Sequence, residues 1–309
     1  MAKQSDRSPA GSPVTLSRQE KELLEKRRVA LVSVFAAFFL TTSKAVIGIL
    51  TGSLGILSEA LHSGLDLVAA GLTYFAVKAS GRPADEDHHF GHGKVENLSA
   101  MAETLLLLVT CVWIIYEAFH RLLGGKLDIE VTAWSYLVVV TSIVVDFTRS
   151  RALSRVAKKT KSQALEADAL HFSTDIWSSA VVFLGLLCTQ WGYPAADSFA
   201  ALIVAAIVIS ISYRLGRRSI DVLMDKAPER LTATVRREAL TIAEVRGVHD
   251  IKVRTSGSEV FVELSIHLDP HLELGTAHNI AHHVAEKIRS SLDRCTVQVH
   301  TEPDIREHD

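Results

Sequence analysis

The hydrophobic residues are concentrated in six long blocks, at residues 29–50, 54–78, 98–119, 132–150, 169–190 and 195–216. Each block is close to the roughly 20 residues that a helix needs to cross a bilayer. The segment "TGS" separates the first two blocks, and "WGYP" separates the last two. Connections this short indicate antiparallel helical hairpins. The pattern therefore predicts six transmembrane helices.

The basic residues that flank these blocks are distributed unevenly between the two sides of the predicted membrane. One side has little beyond Arg121 and Lys126. The other side has Lys26, Arg27, Arg28, Arg82, Lys94, Arg149, Arg151, Arg155, Lys158, Lys159, Lys161, Arg214, Arg217 and Arg218. Because loops rich in lysine and arginine stay in the cytoplasm, both termini are predicted to be cytoplasmic. We also expect a multi-pass protein of the cell inner membrane.

Beyond about residue 226, shorter helical and alternating patterns replace the long apolar blocks. The segments "PERLTATVRREALTIAEV" and "TAHNIAHHVAEKIRSSL" have helical spacing, whereas "VHDIKVRT", "EVFVELSIHLD" and "CTVQVHTE" indicate strands. In the second strand Val260, Val262, Leu264 and Ile266 alternate onto one face. The resulting αββαβ order predicts a small α+β domain of the ferredoxin-like type.

The predicted fold is thus a membrane all-α six-helix transmembrane domain followed by a small cytoplasmic α+β domain. Residues 1–25 are expected to be a disordered cytoplasmic tail, because no apolar segment follows their charges. Residues 26–225 would form the six-span transmembrane domain and residues 226–309 the cytoplasmic α+β domain. The net charge of −2 gives no reason to expect a nucleic-acid partner. The three cysteines offer neither a disulfide framework nor a CxxC metal site.

Two predicted spans contain a histidine and an aspartate four residues apart. His62 and Asp66 lie in "EALHSGLDLVA", and His171 and Asp175 lie in "ALHFSTDIWSS". Residues at i and i+4 share one helix face, so each span offers one nitrogen and one oxygen ligand. Two such faces would form a tetrahedral zinc-type site. Interhelical hydrogen bonding is the alternative, but ionisable residues inside a membrane are costly and usually functional.

Two further groups of metal-ligating residues lie outside the predicted spans. The loop "RPADEDHHFGHGKVE" contains Asp85, Asp87, His88, His89 and His92 beside two glycines, which favours a second, weaker metal site over a merely solvated loop. The tail domain adds His249, His267, His278, His282, His283 and His300, with Glu302 close behind. Their clustering at the ends of predicted strands favours a regulatory metal site over surface decoration.

These residues together resemble the cation diffusion facilitator family over residues 25–305. The motifs that carry the resemblance are "GSLGILSEALHSGLD", "RPADEDHHFGHGKVE", "ADALHFSTD" and the "GVHDIKVR…HLD…VQVHTEPD" tail. The resemblance implies a homodimeric antiporter in the lipid bilayer that exports Zn²⁺ in exchange for protons by alternating access. Cd²⁺, Fe²⁺, Co²⁺ and Mn²⁺ are the other substrates that it implies.

The resemblance also assigns roles to individual residues. It implies a transport site of His62, Asp66, His171 and Asp175, and a loop site of Asp85, His88 and His92. The implied ligands of the cytoplasmic domain are His249, His267, His278, His300 and Glu302, where Glu302 stands in the place of an aspartate in many members. Lys94 and Asp225 match a charge interlock near the dimer interface. The loop between spans four and five has no histidine-rich insertion, which resembles bacterial members.

Two other functions are compatible with parts of the pattern. A membrane-anchored zinc sensor would use the spans only to hold the metal-reading domain, and metal flux would distinguish it from a transporter. An intramembrane metalloprotease would need an HExxH-like pair, and no span contains one. We therefore expect a secondary transporter and no enzyme. For Asp146 we expect an ion pair with Arg149 at the end of the fourth span.

Overall fold

The computed structural model describes residues 17–51, 54–124, 133–190, 195–292 and 294–305. Its elements are α1 (Arg18–Thr51), α2 (Leu54–Ser80), α3 (Val95–Gly124), α4 (Ala133–Thr160), α5 (Gln163–Gln190), α6 (Ala195–Leu223), α7 (Glu229–Ala239), β1 (Gly247–Ser256), β2 (Glu259–Leu268), α8 (Leu274–Ser291) and β3 (Cys295–Pro303). Six long helices are thus followed by the predicted αββαβ order. The short connections expected at residues 52–53 and 191–194 and the tail at residues 1–16 lie outside the described residues.

Helix α1 begins at Arg18, well before the first apolar block. The Ser17 hydroxyl accepts a hydrogen bond from the Glu20 backbone N–H at 3.2 Å, and the Glu20 carboxylate accepts one from the Ser17 N–H at 2.8 Å. This reciprocal pair is a capping box, which satisfies two backbone donors at the start of the helix. The prediction of a disordered tail up to residue 25 is therefore wrong for residues 18–25, because a membrane-length criterion ignores polar helical turns.

Replacing Ser17 with alanine is expected to loosen the first turn of α1. Loss of an N-cap side chain costs about 1 kcal/mol, which corresponds to roughly fivefold faster opening of that turn. Amide hydrogen exchange over residues 18–22 would measure this, with α8 as an internal reference that should not change. Equal exchange in the variant and the parent would show that the capping box contributes nothing.

The six long helices pack mainly in pairs, α1 with α2, α3 with α6 and α4 with α5. Small side chains such as Ala30 and Ala37 are buried on α1, whereas Phe35, Phe38 and Phe39 on the same helix are exposed. Large apolar side chains outside and small ones between helices are typical of a bundle in lipid. By length and composition, three described stretches could cross a membrane, namely Glu20–Leu50, Ala60–Ser80 and Val95–His120.

A buried carboxylate joins the bundle at one end. Glu96, which is 2% exposed, accepts hydrogen bonds from the Lys26 ammonium at 2.7 Å and from the Ser80 hydroxyl at 2.9 Å. The Ser162 hydroxyl, in the turn between α4 and α5, donates to the other oxygen of the same carboxylate. A buried charge is tolerated when it is paired and fully hydrogen-bonded. This group therefore fixes α1, α2 and α3 against the α4–α5 turn.

The tail domain contains a three-stranded sheet in the order β1-β2-β3. Strands β1 and β2 are antiparallel, and β2 and β3 are parallel. Val262, Leu264 and Ile266 of β2 are almost completely buried and pack with Val284 and Ile288 of α8. This face of β2 is the one that the alternating sequence pattern predicted. Its opposite face remains available for polar side chains.

An irregularity in β1 keeps its apolar residues on the buried face. The pairing with β2 shifts between His249 and Lys252, and Asp250 has a φ of 48°. Val248 and Val253 are an odd number of residues apart, so a regular strand would place them on opposite faces. The extra residue of a β-bulge corrects this offset, and both valines are buried.

Candidate metal centre

The two HxxxD pairs of the sequence meet between α2 and α5. His171 Nε2 lies 3.1 Å from Asp66 Oδ1 and 3.7 Å from Asp175 Oδ2, and His62 Nε2 lies 3.8 Å from Asp175 Oδ1. Ligand atoms of His62, Asp66 and Asp175 all lie within 4.8 Å of one another. Two imidazoles and two carboxylates thus converge in the arrangement that the spacing predicted.

The environment of this cluster suits a cation. Asp66 is 9% exposed and His171 is 5% exposed, while the His62 side chain is 39% exposed. Within the described residues, Asp175 Oδ2 accepts no hydrogen bond. A buried carboxylate oxygen without a donor is costly unless a cation binds it. The cluster therefore forms an electronegative site that is mostly buried and is accessible mainly from the side of His62.

An arginine on α4 organises the polar residues next to the cluster. Arg149 contacts Asp146 at 3.2 Å and donates to the Ser33 hydroxyl at 3.1 Å, and its guanidinium lies 3.5 Å above the ring centre of Phe172. Ser33 in turn donates to Asp168 at 3.3 Å. The Asp146–Arg149 pair is the one expected from the sequence. Through its contacts with Ser33 and Phe172, Arg149 links α4 to α1 and to the α5 residue that follows His171.

Sequence reasoning missed three further ionisable residues of this region. Lys44 donates to the Ser63 hydroxyl at 2.8 Å and so contacts the residue that follows His62. Asp168 and Glu103 are both 0% exposed, and each has one carboxylate oxygen without a hydrogen-bond partner in the described part of the chain. Their signal in the sequence is a charged residue inside or beside an apolar block. The same signal identified His62 and Asp66.

The loop site forms by local geometry. His88 Nδ1 and His92 Nε2 lie 3.2 Å and 3.4 Å from the two oxygens of Asp85. The turn is closed by the Gly91 N–H, which donates to the His88 carbonyl at 2.9 Å, and Gly91 has a φ of 71° that suits glycine. A hydrogen bond from the His88 backbone N–H lowers the pKa of Asp85. The carboxylate therefore stays ionised, as a metal ligand must.

The loop also docks on the tail domain. The ring of Phe90 meets Phe261 edge-on at 5.2 Å, and the guanidinium of Arg254 lies 3.8 Å from the centre of the Phe90 ring. At Gly93 a Cβ atom would approach the Ser256 backbone to 2.6 Å, so glycine permits this close contact. The loop site is thus mechanically connected to the hairpin of β1 and β2.

The register of the sheet assembles the tail cluster. His267 pairs with Glu302, and both His249 and His300 pair with the same residue of β2, two positions before His267. Directly paired residues and those two positions along share a face. Glu302 Oε2 lies 3.4 Å from His249 Nε2 and 3.8 Å from His267 Nε2, and Glu302 Oε1 lies 3.7 Å from His300 Nε2.

The structure does not bring His278 to that cluster. Its ring lies 4.5 Å from the ring of His282 on the exposed side of α8. Helix α8 packs on the apolar face of the sheet, whereas the cluster lies on the other face.

The two residues predicted to form a charge interlock, Lys94 and Asp225, form an ion pair in the structure. Lys94 Nζ lies 2.7 Å from Asp225 Oδ1, and Arg254 lies 3.6 Å from the other carboxylate oxygen of Asp225.

Comparison with known proteins identifies the family. The model of the cation efflux transmembrane domain matches residues 30–224, and the model of the cation efflux protein cytoplasmic domain matches residues 227–304. The chain belongs to the cation efflux, or cation diffusion facilitator, family. The predicted architecture is confirmed, namely a six-helix transmembrane domain with a ferredoxin-like cytoplasmic domain. The prediction of a divalent-cation transporter is confirmed at this level.

Two individual relatives support the same assignment, FieF and MamB. The cation-efflux pump FieF of Shewanella oneidensis is 30% identical over 275 residues, which cover 88% of this chain and 92% of the relative. The magnetosome protein MamB of a Magnetospira species is 31% identical over 268 residues, which cover 84% and 90%. A solved structure of the MamM cytoplasmic domain, in a nickel form, is 23% identical, with a TM-score of 0.24, and covers 26% of this chain and 100% of that chain.

Proposed function

We propose that this transporter exports Zn²⁺ from the cytoplasm in exchange for protons. The observation that carries the proposal is the convergence of His62, Asp66, His171 and Asp175 from α2 and α5. Zinc prefers four ligands in a tetrahedron and binds imidazole and carboxylate at about 2.0–2.2 Å. Small side-chain movements would bring the four groups onto one ion.

Proton exchange follows from the chemistry of this ligand set. Zinc binds neutral imidazole and ionised carboxylate, so metal and protons compete for the same atoms. Histidine suits such competition because its charge changes near physiological pH. Rocking of helix pairs around the site would expose it to each side of the membrane in turn, as in other secondary transporters.

The membrane arrangement is also part of the proposal. We place both termini and the tail domain in the cytoplasm because of the basic residues around the loops, and we place the chain in the cell inner membrane because of its family. We further propose a homodimer, held partly by the tail domain, in which the Lys94–Asp225 ion pair stiffens the joint between the two domains.

Metal uptake into proteoliposomes with an imposed pH gradient tests the function. We expect zinc flux that rises with the proton gradient and stops when the gradient is collapsed by an ionophore. Zinc flux that does not depend on the pH gradient would contradict proton exchange. Absence of flux for zinc, cadmium, iron, cobalt and manganese in a folded protein would favour the membrane-anchored zinc sensor.

The loop and tail clusters are proposed as regulatory sites. The double variant His267→Ala/His300→Ala is expected to weaken metal binding by the cytoplasmic domain about tenfold or more, because both side chains contact Glu302. Basal transport should persist, since neither residue lies near the α2–α5 cluster. Metal titration of the full-length protein and proteoliposome flux would be measured together. Complete loss of flux in the folded variant would place the tail cluster on the transport path.

The matched control for this prediction is His278→Ala/His282→Ala. It removes two histidines from the same domain but from the exposed side of α8, away from Glu302. Metal titration of this control should resemble that of the parent. If both double variants lose metal binding equally, the sheet cluster is not a distinct site.

A further inference from the structure

A cavity of about 470 Å³ lies between α4, α5 and α6, near the α4–α5 turn. Its walls combine three cationic side chains, from Lys158, Lys161 and Arg218, with the hydroxyls of Ser154 and Ser173. It contains none of the residues of the three metal clusters. The metal-transport proposal therefore gives this cavity no role.

The cavity has an excess of positive charge. Arg218 is neutralised by Glu166, which also lines the cavity, at 2.8 Å. Lys158 and Lys161 form no ion pair within the described residues. Both lysines are exposed to solvent, and two like charges along one cavity attract an anion that binds beside them. The site is thus electrostatically prepared for a negatively charged ligand.

Lys161 occupies a backbone position at which glycine is usual. Its φ is 54°, and the next N–H, of Ser162, donates to the Ala157 carbonyl at 3.2 Å and closes the end of α4. This arrangement is the common helix C-terminus in which a left-handed residue, normally glycine, ends the helix. A lysine bears a steric penalty in this conformation. Lys161 lines the cavity from this position.

The other walls fit the remaining parts of a phospholipid. The hydroxyls of Ser154 and Ser173 line the same cavity and can donate to phosphate oxygens. Ala157, Ala169 and Leu170 supply an apolar wall between the helices. A basic pocket between transmembrane helices at the cytoplasmic surface is a typical site for an anionic lipid headgroup.

The position of the α4–α5 turn indicates in which leaflet of the membrane the cavity lies. Lys161 also lines a neighbouring cavity together with Arg294 and Ser258 of the tail domain, and Lys159 contacts Glu25 at the start of α1. The basic cavity is therefore on the side of the bundle that faces the cytoplasmic domain. That side is where the headgroups of the corresponding leaflet lie.

We propose that this cavity binds the phosphate group of an anionic phospholipid from the leaflet next to the cytoplasmic domain. Lys158 and Lys161 hold the phosphate charge, Ser154 and Ser173 donate to its oxygens, and the acyl chains follow the apolar surface of α4 and α5. The proposal depends on the membrane-spanning fold and not on the identity of the transported metal.

Native mass spectrometry of the full-length protein with added phosphatidylglycerol tests this site. We expect retained lipid, and about tenfold weaker retention in Lys158→Gln/Lys161→Gln because two cations are lost. The matched control is Arg151→Gln/Arg155→Gln, which removes two exposed cations from the same helix outside the cavity. This control should keep parental binding. Phosphatidylcholine, which has the phosphate but no net charge, should bind more weakly to the parent.

Two further measurements test the identity of the ligand and the position of the site. Millimolar inorganic phosphate should leave phosphatidylglycerol bound, and displacement of the lipid would overturn the lipid as the ligand in favour of a free phosphate. If the double lysine variant does not fold, Ser154→Phe fills the cavity with its charges intact and should also lose the lipid. Equal retention by the parent and a folded cavity variant, or equal loss in the arginine control, would overturn the site.

Discussion

Replacing Asp66 with alanine is expected to abolish metal transport while the protein stays folded. Asp66 supplies the carboxylate oxygen nearest to His171, at 3.1 Å, and no neighbouring group within the cluster replaces it. Loss of an outer-shell partner already costs about 10–100-fold in metal affinity. Loss of a direct ligand should therefore lower zinc flux by at least about 100-fold, as measured in proteoliposomes.

The fold should survive this change because other buried polar contacts also join the helices. Buried contacts such as Glu96 with Lys26 and Arg149 with Asp146 lie outside the ligand set. The matched control is Asp85→Ala in the exposed loop, which removes a carboxylate from a cluster of similar composition. Its basal flux should stay close to the parent. Near-normal zinc flux in folded Asp66→Ala would mean that the transport site has been assigned wrongly.

The convergence of His62, Asp66, His171 and Asp175 could be predicted largely from the sequence because its essential information is local. The four-residue spacing fixes each histidine and aspartate on one helix face, whatever the rest of the fold does. What spacing cannot give is which helices meet. The contact between α2 and α5 depends on packing across more than a hundred residues, and the distances from His171 to Asp66 and from His62 to Asp175 follow from it.

Features that depend on tertiary context were missed or left open. The early start of α1 depends on a capping pair, Ser17 and Glu20, that a search for apolar blocks does not consult. The bulge at Asp250 follows from register between strands. His278 lies between β2 and β3 in the sequence, close to the residues of the tail cluster, yet α8 packs on the opposite face of the sheet. The capping pair is local, whereas for the bulge and for His278 a contact between distant segments decided the outcome.

The chain shows two different ways of building a metal-ligating cluster. The loop cluster of Asp85, His88 and His92 is assembled within eight residues by a tight turn, and its side chains are largely exposed. The cluster between α2 and α5 is buried and joins helices that must move if access alternates. A ligand set that bridges moving elements changes its geometry directly when they move, whereas the local loop cluster can respond only through its contacts with the β1–β2 hairpin. This difference supports transport at the buried cluster and regulation at the loop.

The second large effect is expected at His62, whose replacement by aspartate should change which metals are carried. The change converts two nitrogens and two oxygens into one nitrogen and three oxygens. Carboxylates bind through one or both oxygens, so the coordination number can rise to suit larger cations that favour oxygen ligands. His62 is also the most exposed of the four ligands, with 39% of its side chain accessible. A shorter side chain would leave room there for an additional water ligand.

We therefore expect His62→Asp to keep zinc transport and to gain cadmium or manganese transport, with a relative preference shifted by about tenfold, or roughly 1.4 kcal/mol. The added negative charge should raise affinity for all divalent cations, so a change of ranking is the informative result. His92→Asp adds the same charge in the loop cluster and should leave the ranking unchanged. Zinc flux measured against rising cadmium or manganese in the three proteins tests this. An unchanged ranking in His62→Asp would mean that helix packing around the site, and not the ligand at this position, sets the metal preference.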